Sequence, residues 1–363
     1  MSNDAASLFQ PYHLGPVELP NRLVMAPLTR NRADADLAPH AMNAEYYRQR
    51  ATAGLIVSEA TQVSPLGIGY PGTPGIYSDK QREGWRLVTD AVHEAGGRIY
   101  AQLWFCGRVT HPDLIGGQTP VAPSAVKPST GQAATATGMK DFVTPRPLEE
   151  GEIAGIVGDY RHAATVAKDA GFDGVEIHAA NGYLLDQFLR SGSNERTDAF
   201  GGSVANRCRF PLMVAEACAG VFGADRVGVR VSPTGTFGDM RDDDPQETFF
   251  HLAEKLNELR VIYLHVNEPT GSDFKRGAGG FDAKLFRRHF DNTLIACGGY
   301  DRAAAVKVLD AGDADLVAFG RPYIANPDLV ERLRKDAPLN EPDTSSFYGG
   351  DERGYTDYPA LSA

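Results

Sequence analysis

Short runs of apolar and β-branched residues alternate along this chain with longer stretches whose apolar positions recur at helical spacing. The runs fall at 22–26, 55–60, 99–105, 175–178, 227–231, 261–266, 294–297 and 316–319. Helical patterns are predicted between and after them, over 43–53, 78–97, 153–170, 211–222, 245–259, 283–290, 302–309 and 327–335. The second of these opens on Ser78 and Asp79 with Glu83 following, and stops at Gly96-Gly97: a capped start and a glycine stop. Eight strand-then-helix units in order require parallel strands joined by crossovers. Eight is also the number that closes a barrel. The predicted fold is α/β, a single (β/α)8 TIM barrel over 1–363, with 8–20 as an N-terminal hairpin closing its bottom and long βα loops. The longest loop, 107–147, has no helical period, and loops of that length in compact proteins are usually functional.

An open, doubly wound sheet is the rival architecture. It would place a glycine fingerprint at its first strand-to-helix turn, where this chain has Ala26-Pro27-Leu28-Thr29. Gly67-Ile68-Gly69-Tyr70-Pro71-Gly72 matches G-x-G-x-x-G formally, but Pro71 and Pro74 prevent a helix before Ser78. It reads as a plain loop.

Composition narrows the function classes. With 42% hydrophobic and 23% charged residues in 363, the chain can bury a sizeable core. A net charge of −11 argues against a nucleic-acid binder and against docking on anionic lipid. No apolar run approaches the ~20 residues of a spanning helix, and 1–10 lack the basic-then-apolar order of a secretory signal. Cys106, Cys208, Cys218 and Cys297 lie far apart without a C-x-x-C pair, so a disulfide framework or zinc site is not expected and a cytoplasmic location is. The chain reads as a soluble, acidic, cytoplasmic protein.

In a barrel of this kind chemistry sits at the C-terminal ends of the strands, with phosphate often held after strands seven and eight. Gly298-Gly299 follow the seventh run and Gly320-Arg321 the eighth. Either glycine pair alone could simply end a strand. Together with Arg321 they favour a phosphate, because glycines let backbone N–H groups approach an anion that arginine grips bidentately. The fourth run ends in His178-Ala179-Ala180-Asn181-Gly182-Tyr183. His178 and Asn181 can both donate to one oxygen while Tyr183 offers a weak acid nearby, which suits polarising a carbonyl or nitro oxygen and then delivering a proton. A lone histidine there would more often be structural. Gln102 and Arg230 fall inside the third and fifth runs. A buried arginine needs a strongly polar partner; Glu59 or Glu176 on neighbouring strands could serve, and so could a cofactor.

Several segments carry a wider resemblance. Met25-Ala26-Pro27-Leu28-Thr29-Arg30, Glu59-Ala60-Thr61, Gln102-Leu103-Trp104 with Gly107-Arg108, and His178 through Phe188 resemble the Old Yellow Enzyme family. So do Asn194-Glu195-Arg196-Thr197-Asp198, Ala318-Phe319-Gly320-Arg321-Pro322 and Phe347-Tyr348 through Pro359. The match covers essentially the whole chain and looks most like the bacterial alkene, N-ethylmaleimide and nitrate-ester reductases. It implies a barrel holding FMN non-covalently, reduced by NADPH or NADH and reoxidised by an activated alkene or nitro compound. By position, Thr29 would meet the flavin O4. Pro27, Ala60 and Gln102 would meet the ring edge, with His178 also in contact with the ring, and Arg230 the N1–C2 region. Gly298, Gly299, Gly320 and Arg321 would hold the phosphate. His178 and Asn181 would bind the substrate oxygen, Tyr183 would protonate carbon, and Tyr70, Trp104 and Tyr348 would line the pocket. Phe105, where relatives often have histidine or leucine, and the glycine-rich loop 271–281 depart from the pattern and leave substrate preference open. Monomer and homodimer stay open too, and a flavin-free phosphate-binding isomerase or aldolase is the alternative from another class.

Overall fold

The computed structural model describes residues 7–361, so the reading of 1–10 as free of a secretory signal falls mostly outside the described residues. Eight strands form the ring: β1 (Leu23–Met25), β2 (Leu55–Val57), β3 (Ile99–Trp104), β4 (Gly174–Ala179), β5 (Val227–Val231), β6 (Tyr263–Asn267), β7 (Thr293–Cys297) and β8 (Leu316–Phe319). All pair in parallel with their chain neighbours, and β8 returns to β1 with Val317 opposite Leu23, which closes the barrel. It is the predicted (β/α)8 barrel.

Period-2 alternation divides each strand between two cores. Outward residues such as Leu23, Met25, Val175 and Ile177 pack under the helices. Inward residues Val24, Leu55, Tyr100, Tyr263, Ile295 and Leu316 fill the barrel's lower half. The hairpin Tyr12–Leu14/Val17–Leu19 adds Leu14, Val17 and Leu19 to that inner core and so plugs the bottom. Higher up, the same inward parity delivers Gln102, Trp104, Glu176, His178, Arg230, His265, Asn267 and Cys297. The apolar floor thus gives way to a polar ceiling.

Boundaries depart from expectation in instructive places. The second run stops at Val57, and Thr61–Gln62 pairs separately with β3. The helix expected from Pro211 begins at Val204, capped by Ser203, and carries Pro211 inside it. Proline inside a helix removes one N–H donor, which the packing of this long helix on its neighbours tolerates. The Ser78 cap is present, accepting from the Gln81 N–H, and the Gln81 side chain closes a capping box. Loop 107–147 contains an antiparallel pair, Ala133–Thr135 with Gly138–Lys140, and a short parallel pairing of Val121–Ala122 with Arg146–Pro147.

Candidate active site

Above β4 the chain turns through two left-handed residues, Asn181 (φ 56) and Gly182 (φ 76). A side chain at Gly182 would collide with the Phe237 carbonyl, 2.6 Å from an added Cβ. Three side chains fix this turn. The Ser232 hydroxyl accepts from the Asn181 N–H at 2.7 Å, Asp186 accepts from the Gly182 N–H at 2.8 Å, and Gln187 donates to the Gly182 carbonyl at 2.7 Å. Asp186 is itself held by Arg190 at 2.8 Å, both fully buried, and Arg190 also donates to the Ser232 carbonyl. The turn is therefore rigid, and it projects Asn181 and Tyr183 from one anchored loop.

Tyr183 and Asn181 face a cleft of ≈ 630 Å³ whose wall also includes Thr29, Asn31, Tyr70, Phe237 and Tyr348. The Tyr183 ring stands edge-on to Trp104 (4.9 Å between centroids) and to His178 (5.1 Å), and its hydroxyl meets that of Tyr70 at 3.1 Å. Burial, with Tyr70 and Cys106 beside it, pushes the Tyr183 phenol well above its usual range, so it keeps its proton at working pH. His178 moves the other way. Burial and then the charges of Arg230 and His265 hold it well below the usual imidazole range, so it is neutral, and its Nδ1 is buried without a partner. Trp104, expected in the pocket lining, is buried behind Tyr70, with the two rings stacked at 5.6 Å.

Arg230 lies beside His178 in register on β5. Neither acidic candidate pairs with it. Glu59 accepts the N–H groups of Arg30 (3.1 Å) and Asn31 (3.4 Å). Glu176 is taken by Gln102 (2.7 Å), Tyr263 (3.0 Å) and His265 (2.8 Å). Arg230 instead donates from Nη2 to the Asn267 amide oxygen (3.3 Å) and toward the Cys297 sulfur (3.7 Å), while its Nε is buried without a partner. A buried guanidinium with an unused donor calls for an acceptor in the space above it. Close by, β7 runs into Gly298-Gly299 and β8 into Gly320-Arg321, with Gly299 at φ 81 and open space where its side chain would be. Arg321 is exposed, and no salt bridge holds it among the described residues. An unsatisfied arginine beside a glycine-lined, arginine-bearing rim fits a phosphorylated cofactor with ring carbonyls, and so fits FMN.

The chain's C-terminal stretch completes the cleft. Arg30 donates to the carbonyls of Phe347 (2.9 Å) and Gly354 (2.7 Å), and Arg32 to those of Asp351 and Ser346 (both 3.0 Å). These bonds tie the segment bearing Tyr348 over the β1 loop. Across from it, Gln132, Ala134 and Met139 enter from the small hairpin of loop 107–147. Sequence reasoning missed that hairpin, Phe237 and Asn267; loop position was the sole signal for the first two, and Asn267 ends β6. Phe105 lies in the core against Gly67 and does not face the cleft.

Comparison with known proteins agrees with this geometry. Residues 7–340 match the NADH:flavin oxidoreductase / NADH oxidase family. The chain is 46% identical over 365 residues to 12-oxophytodienoate reductase 1 of Oryza sativa subsp. japonica, covering 98% of this chain and 94% of that protein. It superposes on the structure of morphinone reductase with a TM-score of 0.94 at 51% identity, covering 98% and 96% of the two chains. The old yellow enzyme homologue of Zymomonas mobilis gives a TM-score of 0.94 at 42% identity, covering 98% and 100%. Morphinone reductase has also been seen in complex with tetrahydroNAD. Barrel, glycine- and arginine-bearing rim, unsatisfied arginine and whole-length identity converge: the chain belongs to the NADH:flavin oxidoreductase / NADH oxidase family, the FMN- and nicotinamide-dependent oxidoreductases of Old Yellow Enzyme type.

Proposed function

We propose that the protein is an ene-reductase: it reduces the C=C bond of α,β-unsaturated carbonyls, maleimides and nitroalkenes at the expense of NADPH or NADH. FMN, when bound, supplies the hydride exchange between the nicotinamide and the alkene. Gly298, Gly299, Gly320 and Arg321 would hold its phosphate, Arg230 its ring carbonyl, and Pro27, Thr29, Ala60, Gln102 and His178 the ring itself. The observation that carries the substrate reading is the trio at the end of β4. Neutral His178 and the Asn181 amide offer N–H groups to one oxygen, and that polarisation draws electron density away from the β-carbon. Tyr183, protonated and within the same cleft, delivers the proton to the α-carbon. Tyr70, hydrogen-bonded to Tyr183, steadies the phenol, and Tyr348 covers the substrate. The relatives named as reductases of morphinone and 12-oxophytodienoate act on carbonyl compounds, in keeping with an oxygen site.

Phenols mimic the enolate that such a site stabilises. The yellow holoenzyme should bind 4-hydroxybenzaldehyde with a long-wavelength charge-transfer band. The His178→Ala/Asn181→Ala double variant should lose the band while retaining its flavin. A band of undiminished strength at the same phenol concentration would place the oxygen site elsewhere.

A further inference from the structure

We propose that Asn267, at the top of β6, sets which way round the Asn181 amide sits, so that Asn181 shows the cleft its NH2 and not its carbonyl. This inference rests on Asn181 being part of the oxygen site. Arg230 Nη2 reaches the Asn267 Oδ1 at 3.3 Å, and Asn267 Nδ2 reaches the Asn181 Oδ1 at 3.0 Å. The polarity of this row follows from elementary donor and acceptor counting. A guanidinium has only donors, so Arg230 must meet the oxygen of Asn267. The Asn267 NH2 is then left facing Asn181 and, having no lone pair to offer, must meet the Asn181 oxygen. Asn181 is left with its own NH2 for the substrate. The backbone beneath is fixed by Ser232 and Asp186, so Asn181 cannot escape by moving its main chain. A fixed charge inside the barrel thus dictates, through one intervening amide, that the cleft presents a donor to an incoming carbonyl, nitro or phenolate oxygen. Asn267 is a positioning residue: its polar atoms are spent on Arg230 and Asn181.

Asn267→Asp reverses the last link. A carboxylate accepts from both sides, so it keeps Arg230 and turns the Asn181 NH2 toward itself, leaving a carbonyl oxygen against the substrate. Affinity of the holoenzyme for 4-hydroxybenzaldehyde, read from the charge-transfer band at fixed flavin content, should fall ~10–100-fold, the scale of one charge-assisted hydrogen bond. On an Asn181→Ala background the same substitution should cost less than about 3-fold, since no amide remains to turn. An equal loss on both backgrounds would mean that the new charge acts directly, and unchanged binding in the single variant would mean that Asn181 orients itself; either result overturns the proposal. Asn267→Leu runs the same cycle without added charge, expected to give a several-fold loss with Asn181 present and none without it. If the wild type shows no band, or Asn181→Ala leaves it intact, the oxygen-site reading itself fails. A wild-type band weakened by Asn181→Ala yet indifferent to Asn267 removes the relay alone.

Discussion

At the scale of single residues, the phenol of Tyr183 has the sharpest consequence. Nicotinamide oxidation needs no proton at carbon, whereas alkene reduction does, so the two halves of turnover should respond differently to its loss. Tyr183→Phe keeps the ring contacts with Trp104 and His178. Oxidation of NADPH in a single turnover should stay within a few-fold of wild type, and the subsequent reaction with cyclohexenone should slow by ~10²–10⁴. Equal slowing of both, followed by stopped-flow absorbance, would make Tyr183 structural. Glu59 makes a pH prediction. Burial lifts its carboxyl to about 7, partly offset by the Arg30 and Asn31 N–H groups and the Arg30 and Arg32 charges. A raised folded-state value contributes stability that is full below the ordinary carboxyl range and is lost as pH rises through 7. The scale of the loss is roughly 3 kcal/mol. Glu59→Gln removes this dependence, so its Tm relative to wild type should climb between pH 5 and pH 8; a constant offset would show that Glu59 does not titrate there. The trio at β4 was legible because histidine, asparagine and tyrosine cluster at a strand end. Asn267 was not, since one asparagine after an apolar run carries no pattern until the fold sets it beside Arg230.

At the scale of elements, strand parity decides what enters the barrel, and it left no alternation in the sequence because both faces of the strands are buried. Alternation also brings Glu176 of β4 and His265 of β6 together across β5, 2.8 Å apart and fully buried. Burial alone would neutralise both. Instead His265, Arg230 and Gln102 hold Glu176 below the usual carboxyl range, and Glu176 holds His265 above the usual imidazole range. The result is an ion pair within the polar ceiling. His265→Leu strands a buried carboxylate and should cost about 3–5 kcal/mol in denaturant unfolding. Adding Glu176→Gln should recover much of that loss; a double variant no better than the single would argue that the pair is not charged. The sequence showed both residues but not their meeting, because partners two strands apart share no local spacing. Pro211 misled for a related reason. The helical pattern was seen only from 211 onward, and the tertiary packing of Val204–Phe222 carries the helix through the proline.

At the scale of the whole molecule, the eight βα units in order were enough to specify the closed ring, and the glycine pairs at two strand ends were visible as the rim proposed here to hold the phosphate. The cleft wall was not legible in the same way. Its outer face is assembled from loop 107–147, the β5 loop and the C-terminal segment, whose conformations depend on distant partners. Arg30 is the main tie, reaching Ser346, Phe347 and Gly354 and lying 5.3 and 5.1 Å from the ring centres of Tyr46 and Tyr355, which stack on each other. Arg30→Met keeps much of the stem's bulk but gives up those bonds. It should loosen Tyr348 more than the phosphate rim, so KM for enones should rise several-fold while FMN stays bound. FMN loss in step with KM would show the two to be one cooperative unit.

These ties join residues separated by 316–324 positions along the chain. Contacts so distant in sequence carry the largest loop-closure entropy and reward the chain only after the intervening barrel has formed. The ring closes through β8 and β1 without 346–354, whereas the ties to Arg30 need that ring beneath them. In refolding the ring and its cofactor rim should therefore come first and the substrate chamber last. A folding chain would recover the capacity to retain FMN before it recovers the capacity to choose what FMN reduces.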